Sequence, residues 1–225
     1  MNYEHIEVTP VSGSLGAEIQ GVNLSRDLEE GTIGEIRQAL LEHLVVFFRD
    51  QDLTPSQHMA FASRFGPLQI HAFMAHLEGY PEVLEVHTNA DDSRNFGGAW
   101  HSDITWAEKP ALGSVLYARK VPPVGGDTLW ANMYLAFERL SLGMQRTLEG
   151  MRAVHSPHRA FGAGQRAATN LKTMKVANPA PETEVIHPVV RTHPETGRKA
   201  LYVNGDFTMR FENWTIEESA PLLNY

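Results

Sequence analysis

The run Glu184-Val-Ile-His-Pro-Val-Val-Arg191, the turn segment Pro194-Glu-Thr-Gly197 and the run Lys199-Ala-Leu-Tyr-Val203 decide the fold class. Two short, β-rich stretches flank proline and glycine at turn spacing, which predicts a hairpin. The pattern recurs upstream in Val83-Leu-Glu-Val86, Gly113-Ser-Val-Leu-Tyr-Ala118 and Thr128-Leu-Trp130, each bounded by turn residues. Glu7-Val-Thr9 and Leu15-Gly-Ala-Glu-Ile-Gln20 open the chain as strands with glycine turns. Helical spacing is clearest where Ile33, Ile36, Leu40, Leu41 and Leu44 form one stripe, which runs into Val45-Val-Phe-Phe48, an apolar run suited to a buried strand. A second helix has clear punctuation: Thr54 as N-cap, Pro55 at the first helical position, Gln57 completing a capping box, and Gly66-Pro67 as the stop. Many short strands after a helical opening predict a mainly β chain with flanking helices, a sandwich or jelly roll.

The 225 residues suffice for one domain, with no linker or repeat to divide them. Thr215-Ile-Glu-Glu218 is a capping-box pattern, and Leu222-Leu223 begins an apolar face just before Tyr225. That helix is too short to stand alone, so the expectation is a single domain over 1–225 that is cut at its C-terminus. Zero cysteines exclude disulfides, thiolate metal sites, iron–sulfur clusters and a cysteine nucleophile. Any metal must be held by imidazole and carboxylate. Nineteen basic against 27 acidic residues give a net charge of -8, which argues against a nucleic-acid or anionic-membrane partner. No run approaches the ~18 apolar residues of a membrane span. Met1-Asn-Tyr-Glu-His-Ile-Glu7 is no signal peptide, so a cytoplasmic protein is expected, and the composition admits a homo-oligomer. One stretch departs from the acidic background. Residues 159–175 hold Arg159, Arg166, Lys172 and Lys175 and no acid, reading either as a draw for an anionic substrate or as a solvated loop.

The 11 histidines carry the remaining chemistry. A His-x-Asp/Glu pair can turn an imidazole and a carboxylate toward one metal, because alternate residues of an extended chain share a face. Such a pair supplies two-thirds of a 2-His-1-carboxylate triad, whose open positions admit substrate and oxygen. Chance alone gives about one such pair in this composition. Among those in the sequence are His5-x-Glu7, His101-x-Asp103 and His193-x-Glu195. The first lies near a terminus, and the third belongs to turn chemistry. His101-x-Asp103 sits in Phe96-Gly-Gly-Ala-Trp-His-Ser-Asp-Ile-Thr-Trp106, where glycines permit close approach and aromatics can wall off a polar pair. Its alternative is a core histidine bonded to an aspartate. In Gly125-Gly-Asp-Thr-Leu-Trp130, Thr128 can donate to a bound carboxylate, or Asp127 can simply complete a turn. Gly162-Ala-Gly-Gln-Arg-Ala167 fits a loose dinucleotide fingerprint but lacks the buried strand before it. His71 can address a substrate oxyanion or simply finish a surface turn, His76 reads as surface, and Pro157 opposes a one-face pair of His155 and His158. There is no P-loop, nucleophile elbow or His-Glu-x-x-His.

Taken together the chain resembles the taurine-dioxygenase family of iron(II)- and 2-oxoglutarate-dependent oxygenases. The resemblance is carried in order by Gly16-Ala-Glu-Ile-Gln-Gly21, Val45-Val-Phe-Phe-Arg-Asp50, Arg64-Phe-Gly66, Trp100-His-Ser-Asp-Ile-Thr105, Gly125-Gly-Asp-Thr-Leu-Trp130 and His187-Pro-Val-Val-Arg-Thr-His-Pro-Glu-Thr-Gly197. It implies a double-stranded β-helix (jelly roll), with Fe(II), 2-oxoglutarate and O2 as the cofactor set and succinate and CO2 as co-products. It implies His101 and Asp103 as iron ligands, no catalytic residue beyond them, and Thr128 on the 2-oxoglutarate carboxylate. Asp103 favours hydroxylation, since the halogenating relatives lack this carboxylate. For the substrate, His71 matches a family residue. Met74 and Gly97 stand where the family's tyrosine and asparagine are expected, and Ile104 and Phe207 match pocket-lining positions. Losing two polar contacts weakens the case for taurine itself, so the expected substrate is a small anion: an alkyl sulfonate, a sulfate ester or a carboxylate. The family's second ligand histidine and its 2-oxoglutarate arginine match no position here. They are expected beyond Tyr225, and neither His155, His187 nor His193 takes that place. Two other classes stay open on the residues alone. One is a catalytically inactive jelly-roll protein that binds a small molecule, and the other a zinc hydrolase using His101 and Asp103.

Overall fold

The computed structural model describes residues 3–88, 97–163 and 176–225. The chain divides into two compact units, Met1–Leu68 with Ser114–Asn132, and Gln69–Gly113 with Met133–Tyr225.

The first unit is a three-stranded sheet with two helices. Strand β1 (Glu7–Pro10) pairs antiparallel with β2 (Ala17–Gln20), which pairs in parallel with the two-residue β3 (Val46–Phe47). Helix α1 (Glu30–His43) forms because its apolar stripe buries Ile33, Ile36 and Ala39. It ends where Leu44 turns left-handed at φ 69° and its N–H closes on Leu40 O. Leu44, part of the helical stripe in the sequence, is therefore the cap. Helix α2 (Pro55–Ser63) has the expected capping box: Thr54 and Gln57 satisfy each other's backbone N–H groups. The core gathers Ile6, Ile19, Leu24, Ile33, Ile36, Leu53 and Phe61, joined by Tyr117. Tyr117 accepts from Leu53 N–H and donates to Gln51 O, tying segment 114–132 to the rest of its unit.

The second unit contains helices α3 (Met133–Glu138), α4 (Leu142–Glu149) and α5 (His158–Phe161), strands β4 (Arg152–His155), β5 (Val185–Pro188), β6 (Val190–Thr192), β7 (Lys199–Leu201) and β8 (Thr208–Phe211), and helix α6 (Ile216–Leu223). Antiparallel pairing gives the sheet order β5-β4-β8 and a separate β6-β7 hairpin. The hairpin turns at Gly197, whose φ of 69° suits glycine, and whose N–H donates to His193 O. His193 Nδ1 accepts from the N–H groups of Glu195 and Thr196, so this histidine completes the turn, as its sequence context predicts. The run 184–191, read as one strand, divides at Val189, with β5 in one sheet and β6 in the other. Val189 N–H bonds Met151 O and its carbonyl accepts from Tyr202, so the chain changes partner without losing hydrogen bonds.

Three expected strands, at 83–86, 113–118 and 128–130, lie in no sheet of the described residues. β-rich composition reports fitness for a pleated surface, and a strand exists only where a partner pairs with it. In the first unit Leu116 (71% exposed) and Leu129 (68%) have the composition without the partner. The basic stretch lies largely outside the described residues, as do the last four residues of the Gly162–Ala167 fingerprint and Phe96. Among the described residues, no helix is long and apolar enough to cross a membrane.

Candidate metal centre

His101 and Asp103 belong to the second unit, on a loop that leads into the turn closed by Ala107 N–H on Ile104 O. The backbone folds tightly here because Ile104 is left-handed at φ 55°, a conformation costly for a β-branched residue. The effect is to bring His101 Nε2 and Asp103 Oδ1 to 3.3 Å. His101 Nδ1 lies 2.8 Å from Ala99 O, where it donates, and this fixes the tautomer that leaves Nε2 facing the carboxylate. The hydrogen bond to Asp103 raises the imidazole to about pH 9 against the cost of its burial, with Ala99 O and the charge of Asp206 adding to the rise.

The pair fits a divalent metal. Nitrogen and oxygen donors each ~2.1 Å from one ion and at right angles stand about 3 Å apart, close to the separation found. A metal at Nε2 takes the place of the ring proton that Asp103 stabilises. Asp206, its side chain 10% exposed, approaches the other edge of the ring, with Oδ2 at 3.9 Å from Nδ1. That edge cannot share a metal with Nε2. Among the described residues no cluster of three His, Asp, Glu or Cys side chains can hold a metal.

Around the pair stands an aromatic wall. Phe207 meets His101 edge-on at 6.3 Å between centroids and stacks on Phe161 at 6.1 Å. His71 touches Phe73, Trp106 and Phe161 edge-on. Met74 is buried at 1% exposure in the same cluster, where a hydrogen-bonding tyrosine is expected by the family pattern. His71 Nδ1 accepts from the N–H groups of both Phe73 and Met74, which puts the proton of the neutral ring on Nε2. Burial lowers the pKa of His71 while the negative charge of Asp103 pulls it back up. His76 is exposed, as expected, its Nε2 on His71 O. Gly97 adopts φ 68°, and a Cβ there would lie 3.3 Å from His101 Cε1.

The second unit thus brings together His71, Met74, Gly97, His101, Asp103, Ile104 and Phe207. Thr128 lies in the first unit on the exposed segment 114–132. Trp100, expected in the wall, is instead 61% exposed, and Trp106 fills that role. Phe161 and Asp206 escaped the sequence reading. The turn signal Asn204-Gly205 beside Phe207 marks Asp206, whereas Phe161 enters through non-local packing that no local pattern announces. His155 and His158 do not pair: His155 contacts Thr105 and His158 lies 3.6 Å from Glu182.

The model of the "Taurine catabolism dioxygenase TauD, TfdA family" matches residues 7–225. An alkylsulfatase of Acinetobacter baylyi is 33% identical over 224 residues, covering 98% of this chain and 69% of its own length. An alpha-ketoglutarate-dependent sulfate ester dioxygenase of Pseudomonas putida is 32% identical over 220 residues, covering 96% of this chain and 72% of its own. The crystal structure of a taurine dioxygenase from Burkholderia xenovorans superimposes with a TM-score of 0.77 at 36% identity, over 98% of this chain and 71% of that one. The fold is therefore the jelly roll expected from the sequence, and the chain belongs to the taurine catabolism dioxygenase family of Fe(II)- and 2-oxoglutarate-dependent oxygenases.

Proposed function

We propose that this protein hydroxylates a small anionic substrate with an apolar body, an alkyl sulfate ester or alkyl sulfonate ahead of taurine, at iron held by His101 and Asp103. The observation that carries the reading is the Nε2–Oδ1 pair at 3.3 Å, its tautomer set by Ala99 O, against a wall of Phe161 and Phe207. When bound, Fe(II) with 2-oxoglutarate and O2 supplies oxidative decarboxylation to succinate and CO2 and the oxidising power for a C–H bond. The chain's own residues do the rest. His101 Nε2 and Asp103 hold the metal. His71 presents its Nε2 proton to the substrate's anionic group while staying neutral. Met74, Phe161 and Phe207 exclude water and favour an apolar body over the ammonium end of taurine. Thr128 hydrogen-bonds a 2-oxoglutarate carboxylate. Among the described residues no third side chain joins His101 and Asp103 as a ligand.

Succinate release with Fe(II), 2-oxoglutarate and ascorbate, measured on the full-length protein, tests this. Medium-chain alkyl sulfates or sulfonates should stimulate it more than taurine, and His101→Ala should abolish it. Tight binding of these anions with no succinate would favour the inactive binding protein.

A further inference from the structure

Two buried histidines of the second unit stand apart from the metal pair. We propose that His155 and His187 form a clamp which, acting through Thr105 and Ala107, holds the strained Asp103–Ala107 loop so that Asp103 faces His101. The proposal deepens the assignment of His101 and Asp103 as the metal pair and rests on it.

The chain of contacts is continuous. A bulge between Val154 and His155 shifts the β4–β8 register so that His155 opposes Thr208 and its ring turns inward, fully buried. Its Nδ1 lies 3.1 Å from Thr105 Oγ1 and 3.4 Å from Thr208 Oγ1. Thr105, also fully buried, is two residues from Asp103 and adjoins left-handed Ile104. Thr105 Oγ1 also accepts from Asn204 Nδ2 at 3.2 Å, so one hydroxyl joins His155 and Asn204. On the neighbouring strand His187, 8% exposed, donates from Nε2 to Ala107 O at 2.9 Å. Thr105 and Ala107 are thereby fixed from two strands, on the side of the loop that follows the strained residue. Such backbone strain persists only where the surroundings over-determine it.

Asn204 couples the clamp to the opposite wall. Its Oδ1 accepts from the N–H groups of Asp206 and Phe207, the two residues that face the His101 ring. One amide therefore sets Phe207 and Asp206 with one end and Thr105 with the other. His155, His187, Thr105 and Asn204 are positioning residues: they hold the loop and the wall and supply no donor to the metal. His155 Nε2 is buried without a hydrogen-bond partner among the described residues, so the polar bonds of the ring run through Nδ1 to the loop.

The test compares Thr105→Val, which keeps shape and removes the hydroxyl, with Thr105→Ser, which restores it. Ser219→Ala serves as a control that loses a buried hydroxyl bonding Phe211 N–H and Thr215 O, away from the loop. Amide exchange of Ala107, read without metal, should accelerate about tenfold in Thr105→Val relative to the β4–β5 amides, and return to normal in Thr105→Ser. Co(II) affinity should fall about tenfold in Thr105→Val and be unchanged in Ser219→Ala. Exchange at Ala107 that rises no more than in β4 and β5 overturns the clamp. If exchange responds but His101→Ala leaves Co(II) binding unaltered, the clamp stands as a loop restraint and the metal assignment of His101 fails.

Discussion

At Gly97 the backbone chooses between a substrate contact and a metal ligand. Its φ of 68° lies in the left-handed region, and a Cβ would press His101 Cε1 at 3.3 Å. Alanine there costs about 1–2 kcal/mol in backbone strain alone, while asparagine tolerates the conformation better. The ring has little room to give, since its Nδ1 is committed to Ala99 O. Gly97→Ala should therefore lower both the melting temperature and Co(II) affinity. Gly97→Asn should lower affinity with a smaller loss of stability, read by calorimetry beside metal titration. Tighter binding in Gly97→Asn would show that the ring yields to a side chain. Much of this centre was legible in the residues, because His101-x-Asp103 and its glycines are local chemistry. What could not be read is why the motif holds its shape. The partners of Thr105, which adjoins left-handed Ile104, come from residues 50 and 99 positions away.

Elements show the same division between local and distant causes. The capping boxes at Thr54 and Thr215 and the Gly197 turn were legible because each is settled within four residues. Strands β4 and β8 were missed, since Arg152-Ala-Val-His155 and Thr208-Met-Arg-Phe211 are too short to show a period and exist through each other. The division of 184–191 at Val189 was hidden for the same reason: an apolar run does not say which sheet receives each half. One prediction belongs to this scale. Thr54→Ala removes the oxygen that accepts from Gln57 N–H and should cost about 1 kcal/mol in urea unfolding of the first unit. Thr54→Ser should recover most of it. No loss in Thr54→Ala would mean that Pro55 and the buried Phe61 fix the helix start unaided.

For the whole molecule, the clamp that steadies the metal pair also makes stability depend on pH. Burial, aided by the nearby His187, lowers His155 from the ordinary imidazole value of 6.5 to about 4. The groups facing it are His187 from β5, Tyr202 at 5.9 Å, Thr105, and Thr208 from β8. None of these is a carboxylate that could stabilise an imidazolium. The folded state therefore binds fewer protons than the unfolded one between pH 6.5 and 4. The stability is present above pH 6.5 and is lost as pH falls toward 4. Linkage sets the loss at about 2 kcal/mol between pH 7 and pH 5. Urea unfolding of the second unit should reveal it, with Tyr202 and Trp106 as reporters. His155→Gln keeps a hydrogen-bonding group toward Thr105 but cannot take up the proton, so its stability should fall by about 2 kcal/mol less over the same interval. Equal pH slopes in the two proteins would mean that His155 is hydrated in the folded chain, and that the acid sensitivity arises elsewhere.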